Sequence, residues 1–385
     1  MPLLSIVIPT RDRAPYLAAS IATALQSTDA PLEVLVLDNA SADNTRDIVA
    51  AIADPRLRYE RSERRLSMRD NFERGLRLAQ GEYIGFIGDD DGILGHAPAA
   101  VHAIFDNPKV DAIAAARAHY YWPDLEGGRR GSALLPRGEG MELRNSRQEL
   151  RKLLDDSDYY RLPCIYHGFV RRSLIDRNSK DRFFLSSQVD IYSAIALSMA
   201  GVTFAFSHAP LVINGGSARS NGASHFGGGT AEERNKWKQE DDLGFLPGFD
   251  NHATVGVLIV ESALRYAAAF DVQLEDIFPR NAIDQAMHRE HAARIALGRP
   301  LDNFDQAAAA AGSTGRMPQT GGALDRVRRL ARSFSATMPI DAAARGVTDV
   351  KGAADLIQGL LARGRQRNFD RPGEQLRIAL RIGRG

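Results

Sequence analysis

The sequence predicts an α/β fold, a mostly parallel sheet with helices on both faces, followed by a mainly helical C-terminal region. Three observations carry this expectation. Short runs of β-branched and other apolar residues at 3–8, 33–38 and 83–87 read as strands buried on both faces. The segments between them repeat apolar residues at three- and four-residue intervals, as helices covering such a sheet do. Each strand run ends in polar or acidic residues, which places a ligand-binding edge at the carboxyl ends of the strands.

In chain order, Leu3-Leu4-Ser5-Ile6-Val7-Ile8 is a strand stopped by Pro9, and residues 14–27 are a helix whose face is Leu17, Ile21, Ala24 and Leu25. Residues 33–38 repeat the strand pattern and end in Asp38. Asn39-Ala40-Ser41-Ala42-Asp43-Asn44-Thr45 is turn and N-cap chemistry opening a helix over 45–52, and 56–60 is a third strand. Residues 70–79 form a helix with Phe72, Leu76 and Ala79 on one side, and Gly81 stands where a C-terminal glycine cap belongs. The strand 83–87 runs into Gly88-Asp89-Asp90-Asp91-Gly92. Antiparallel strands are expected within 111–140, a helix over 188–200, strands at 202–206 and 210–213, and a glycine-rich loop over 215–229. Helices follow at 254–270, 283–297 and the alanine run 307–311. The expected organisation is an α/β domain over 1–229 in two halves (about 1–110 and about 111–229), a helical extension over 230–311, a Gly/Ser/Thr/Pro linker over 312–322, and a basic helical tail over 323–385.

Composition narrows the function classes. A chain of 385 residues with 44% apolar and 25% charged residues exceeds one small domain and is ordinary for a globular protein. Forty-nine Lys and Arg against 48 Asp and Glu leave a charge of +1, which argues against a nucleic-acid partner. Cys164 is the only cysteine, so an intramolecular disulfide and a cysteine zinc cage are excluded and a reducing compartment fits. No basic run precedes the first apolar segment, so a signal peptide is not expected. The apolar stretch 254–270 contains Glu261 and Arg265 and is too short to span a bilayer, so a cytoplasmic protein is expected. Residues 321–385 hold 13 Arg or Lys against 6 Asp or Glu, a local +7 suited to packing, to homo-oligomer contact or to peripheral contact with an anionic inner membrane face.

The sharpest chemical feature is Asp89-Asp90-Asp91: three carboxylates after a buried strand repel one another unless a cation compensates, and hard oxygen ligands suit Mg²⁺ or Mn²⁺. A solvated acidic turn is the competing reading. Asp38 fits either an Asx turn or an acceptor for a nucleotide's ribose hydroxyl or base N–H. Arg11 and Arg13 fit phosphate or plain surface charge.

Three blocks, Ser5-Ile6-Val7-Ile8-Pro9-Thr10-Arg11-Asp12-Arg13, Val36-Leu37-Asp38-Asn39-Ala40-Ser41-Ala42-Asp43-Asn44-Thr45, and Asn71 with Ala79-Gln80-Gly81-Glu82-Tyr83-Ile84-Gly85-Phe86-Ile87-Gly88-Asp89-Asp90-Asp91, together resemble a family 2 glycosyltransferase of the GT-A fold. The resemblance is strong over about residues 3–95 and continues more weakly to about 225. It implies that Pro9, Thr10, Arg11 and Asp38 surround the base and ribose of a nucleotide-sugar donor, that Asn71 faces the donor, and that Asp90 lies in the donor loop. Asp89 and Asp91 match the DxD pair, with Asp89 near the ribose and sugar and both Asp91 and Asp89 implied as ligands of a Mn²⁺ or Mg²⁺ ion. Asp190-Ile191-Tyr192-Ser193-Ala194-Ile195-Ala196-Leu197 with Gly201 matches the helix that carries the general base, Asp190, although the usual preceding Glu is Val189. The interval to the family's metal-binding histidine reaches Ser217, so His225 is the expected substitute, and Arg219 in the glycine-rich loop is the expected diphosphate contact. The implied reaction is inverting transfer from a UDP- or dTDP-sugar, or a GDP-sugar, to a hydroxyl of a glycan or lipid-linked glycan. A catalytically inactive scaffold of the same fold is the alternative. A sugar-1-phosphate nucleotidyltransferase is further away, because its G-x-G-x-R signature is absent after the first strand.

Overall fold

Strand β1 (Leu4–Thr10) lies between β2 (Leu32–Asp38) and β4 (Tyr83–Phe86), parallel to both, in a computed structural model that describes residues 3–220, 241–299, 301–313 and 337–362. Alternation of side chains along a strand sends Ile6, Ile8, Val34 and Val36 to one face, where Leu17, Ile21 and Ala24 of α1 (Ala14–Leu25) cover them. Val7, Leu35 and Leu37 go to the other face, under Phe72 and Leu76 of α3 (Met68–Leu78). Covering both faces is what makes these strands continuous apolar runs. Between them, α2 (Thr45–Ala50) leads to β3 (Leu57–Arg61), which pairs in parallel with β2.

The remaining strands are β5 (Gly92–Ile93), β6 (Ala112–Ala115), β7 (Ala118–Tyr121), β8 (Ser132–Pro136), β9 (Met141–Asn145), β10 (Phe169–Arg171), β11 (Thr203–Ser207), β12 (Val212–Gly216) and β13 (Thr337–Asp341). The large sheet runs β3-β2-β1-β4-β10-β6-β11-β9 and the smaller one β13-β8-β7-β12-β5. The chain moves outward from β1 to β3, then returns to the other side of β1 for β4. The crevice of this fold class lies at that switch point, beyond the carboxyl ends of β1 and β4. β10 is antiparallel to both its neighbours, whereas β6 and β11 are parallel. Of the antiparallel strands expected over 111–140, β7 and β8 pair that way in the second sheet.

The second sheet places the site. β5 follows the acidic triplet at once and pairs with β12. Gly215 of β12 lies against the acidic loop so closely that a Cβ there would come 1.8 Å from the Asp90 carbonyl oxygen, so only glycine is accommodated.

The C-terminal region corrects one expectation. Rather than a separate helical tail, residues 337–341 form β13, antiparallel to β8 at the sheet edge, where Pro339 is tolerated. The helix Val350–Ala362 buries Val350, Ala353, Ala354 and Ile357 in one cluster with Tyr16, Leu94 and Ile213, and the Gln358 side chain accepts from the Gly95 N–H at 2.6 Å. A short strand containing a proline carries almost no periodic signal. Nearly all of the expected linker, 312–322, lies outside the described residues, as do 323–336 and 363–385.

The helical extension follows expectation, with helices Val255–Phe270, Arg280–Ala296 and Phe304–Ala310. Val255–Phe270 packs on Val189–Met199. Inside the extension, Glu290 and Arg294 form a fully buried ion pair at 2.7 Å, and Glu290 also accepts from the Ala253 and Thr254 N–H groups. Among the described residues no helix is long and apolar enough to cross a membrane.

Candidate active site

β1 and β2 deliver Thr10 and Asp38 side by side, as register partners at their carboxyl ends. Asp38 is buried. Its Oδ1 accepts from the Ser41 N–H at 2.8 Å, the Asx turn read from sequence, and its Oδ2 accepts from the Tyr59 hydroxyl at 2.5 Å with Arg61 Nε 3.4 Å away. Pro9 and Arg11, half-buried, flank Thr10. Asn71 comes from the first turn of α3, which Ser67 caps by accepting from the Asp70 N–H at 3.1 Å. Asn71 is 3% exposed and its Oδ1 has no hydrogen-bond partner among the described residues, an acceptor that a bound hydroxyl or N–H would satisfy.

The three carboxylates of the acidic triplet have three different surroundings. Asp89 accepts from the Thr10 hydroxyl at 2.7 Å and meets Arg13 Nε at 3.1 Å. Asp90 accepts from Arg13 at 2.7 Å and from the hydroxyls of Ser217 and Ser220, each at 2.6 Å. Its carbonyl is held by Trp122 Nε1 at 2.9 Å. Asp91 faces inward: its Oδ2 accepts from the Gly88 N–H and His167 Nε2 at 2.6 Å and from the Tyr166 hydroxyl at 2.7 Å, and its Oδ1 accepts from the Gly215 N–H at 2.7 Å.

Their proton affinities differ accordingly. Burial pushes Asp89 up to about 7 against the pull of Arg13, with Asp90 adding to the rise. Asp91 goes the other way: burial raises it, but His167 and the donors from Gly215 and Tyr166 outweigh that and hold it down at about 2. Burial also works against the charge of Arg13, yet Asp89 and Asp90 more than offset this and hold the guanidinium firmly protonated.

This geometry redirects the metal expectation. Asp91 has four protein donors on its two oxygens and ties together the acidic loop, the 166–167 turn and β12. Asp89 and Asp90 are the carboxylates that face Arg13 and Ser217. Among the described residues no group of three or more His, Cys, Asp or Glu is placed to hold a metal ion. Two carboxylates with neighbouring serine hydroxyls still fit a Mg²⁺ or Mn²⁺ ion, which takes few protein ligands when substrate phosphates supply the rest. The interval that reached Ser217 from Asp190 identified a position that does face the acidic loop. Arg13, left open between phosphate and surface in the sequence, is the residue that bridges Asp89 and Asp90.

The helix Val189–Met199 carries Asp190 in its first turn. Asp190 Oδ1 accepts from the Ile191 N–H at 2.9 Å, while Oδ2 accepts from the hydroxyls of Tyr159 at 2.7 Å and Tyr160 at 3.2 Å. Tyr160 lies 5.4 Å from the His167 ring and 6.4 Å from Tyr166, both of which bond Asp91. Asp190 and the acidic triplet thus share one aromatic wall. The Arg117 guanidinium stacks on Tyr160 at 3.5 Å. None of Tyr159, Tyr160, Tyr166 or His167 was singled out from sequence, since aromatics in an irregular segment have no period to mark them; the pair Tyr159-Tyr160 ahead of Cys164 was the one available signal. Arg219 is exposed at the mouth and donates to the Asp12 carbonyl at 2.9 Å, bridging the loop after β1 to the one after β12. His225 lies outside the described residues, as does the glycine-rich loop beyond Ser220.

Part of the chain is similar to known glycosyltransferases. The model for glycosyl transferase family 2 matches residues 5–174. A GalNAc(5)-diNAcBac-PP-undecaprenol β-1,3-glucosyltransferase of Campylobacter jejuni is 32% identical over 100 residues, 25% of this chain and 32% of that protein. A UDP-Glc:α-D-GlcNAc-diphosphoundecaprenol β-1,3-glucosyltransferase of Escherichia coli is 34% identical over 89 residues, 23% of this chain and 35% of that one. The chain spans about a third of the length of the curated relatives it matches. Among solved structures, Staphylococcus aureus TarS with UDP-GlcNAc aligns over 83% of this chain and 95% of that one at 16% identity and a TM-score of 0.44. A mannosyltransferase of Pyrobaculum calidifontis with GDP-Man and Mn²⁺ aligns over 94% and 88% at 17% identity and a TM-score of 0.45. Over residues 5–174 the chain is thus similar to family 2 glycosyl transferases, on a large, mostly parallel sheet flanked by helices.

Proposed function

We propose that this protein is an inverting glycosyltransferase that moves a sugar from a nucleoside-diphosphate donor to a hydroxyl of a glycan, or of a glycan carried on a lipid diphosphate. The observation that carries the proposal is the shared wall of Tyr160, Tyr166 and His167, which sets Asp190 beside the acidic loop at the switch point of the sheet. An acceptor hydroxyl must lose its proton as it attacks, and Asp190 is the base within reach of that wall. Tyr159 and Tyr160 orient its carboxylate. Asp38, Pro9, Thr10 and Arg11 line the nucleoside side, and Asn71 supplies an unmet acceptor. Asp89 and Asp90 would hold a Mn²⁺ or Mg²⁺ ion, which when bound offsets charge on the departing diphosphate. Arg219 adds positive charge at the mouth.

The lipid-linked acceptor is supported by the relatives of C. jejuni and E. coli, whose names specify undecaprenol diphosphate acceptors. With such an acceptor the enzyme works at the inner face of a membrane, and the basic C-terminal residues 321–385 suit an anionic lipid surface. The test is a thermal-shift panel of UDP, dTDP, GDP and CMP, each with Mn²⁺, Mg²⁺ or chelator. Stabilisation by one nucleoside diphosphate that chelator diminishes is the expected result. Absence of any shift refutes the donor site and returns the chain to the inactive-scaffold reading.

A further inference from the structure

The Arg13 side chain does more than border the site. Its Nε lies 3.1 Å from Asp89 and its terminal nitrogen 2.7 Å from Asp90 and 3.0 Å from the Ser217 hydroxyl. The three side chains are sheltered, at 15%, 4% and 7% exposure for Arg13, Asp89 and Asp90. Tyr16 lies beneath the guanidinium at 5.5 Å. One fixed cation therefore sits between the two carboxylates that the reading above gives to a divalent ion. A planar guanidinium is held here by two carboxylates at once, an arrangement that a flexible surface arginine does not keep.

Resting on that reading, we propose that Arg13 is the resident counter-ion of Asp89 and Asp90 and keeps a free divalent cation off the pair until a nucleoside diphosphate arrives. The charges explain the order. Asp89 and Asp90 together carry two negative charges at most, and Arg13 already balances one. A divalent cation added to the same pair stands close to the guanidinium, and like charges in a sheltered site repel strongly. The diphosphate brings the negative charge that lets Arg13 and a divalent ion coexist, because its oxygens accept from the guanidinium. Metal and nucleotide then bind together and not in sequence with metal first. Ser217 and Ser220 share Asp90 with Arg13, so the end of β12 feels the same exchange.

The test measures free Mn²⁺ by electron paramagnetic resonance on the full chain, for wild type, Arg13→Gln and Arg13→Lys, first without nucleotide and then with UDP, dTDP or GDP. Without nucleotide, Arg13→Gln is expected to bind Mn²⁺ at least about tenfold more tightly than wild type. Arg13→Lys, whose ammonium satisfies one carboxylate at a time, is expected between them. The nucleotide should tighten Mn²⁺ binding more in wild type than in Arg13→Gln. Equal Mn²⁺ affinity in wild type and both variants overturns the proposal, and if Arg13→Gln does not fold, equality between wild type and Arg13→Lys overturns it alone. A wild type that binds Mn²⁺ with nucleotide, combined with that equality, removes the role of Arg13 and leaves the glycosyltransferase reading standing. A wild type that binds no nucleotide under any condition removes both.

Discussion

Replacing Asp91 by Asn separates a structural clamp from a metal ligand. The asparagine can keep one acceptor oxygen toward Gly88, Tyr166 and His167, but its NH₂ then meets the Gly215 N–H, donor against donor. Leaving that buried N–H unmet costs about 1–3 kcal/mol, and the other three bonds lose charge assistance worth about 1 kcal/mol each. The expected loss is about 4–6 kcal/mol, at the upper end of what breaking a buried charged network costs. The proton affinity of Asp91 supplies an independent lower figure. A carboxyl held at about 2 in place of 3.8 favours the folded state by about 2 kcal/mol near neutral pH. Because the folded value lies below the unfolded one, this stability is present above pH 3.8 and is lost as pH falls toward 2. Urea unfolding followed by tryptophan fluorescence in a Trp237→Phe background, which leaves Trp122, bonded to the Asp90 carbonyl, as the reporter, measures the effect at pH 7 and at acid pH. Wild type should lose the increment between those pH values and Asp91→Asn should lack it throughout. Wild-type stability in Asp91→Asn together with loss of metal-dependent nucleotide binding would refute the clamp and return Asp91 to the metal.

Other outcomes follow from the same geometry. Arg294→Met leaves Glu290 charged in a fully buried position and should cost about 3–5 kcal/mol in urea unfolding while nucleotide affinity stays near wild type. Deleting residues 337–385 removes β13 and the helix that covers Tyr16, Leu94 and Ile213, so soluble yield or melting temperature should drop sharply; an unaffected melting temperature would show that the rest of the chain folds without it. Gly215→Ala forces β12 away from the Asp90 carbonyl, and nucleotide binding measured by calorimetry should be lost even where the protein remains folded.

The parallel half of the sheet was legible because strands buried on both faces must be apolar throughout, and β1, β2 and β4 fall where runs of Ile, Val and Leu stand. Position along those strands also located Thr10, Asp38 and the acidic triplet. What the sequence does not contain is the division of labour within Asp89, Asp90 and Asp91. Three identical side chains in a row are told apart only by their partners, and those partners, Arg13, Ser217, Tyr166 and His167, come from segments up to 204 residues apart. The aromatic wall and β13 escaped for a related reason: both gain their meaning from tertiary pairing and neither has a local period. Asp190 was reached through the resemblance, since an acidic residue in the first turn of a helix is equally explained by the helix dipole.

The most direct measurement is acceptor-dependent release of nucleoside diphosphate from UDP-, dTDP- and GDP-sugars, with a lipid-diphosphate-linked glycan as acceptor, compared between wild type and Asp190→Asn. The account predicts release by wild type from one donor class and a loss of several orders of magnitude in Asp190→Asn with donor affinity nearly unchanged, as removal of a proton acceptor requires. Undiminished transfer by Asp190→Asn, or no transfer by wild type from any donor that binds, would contradict it.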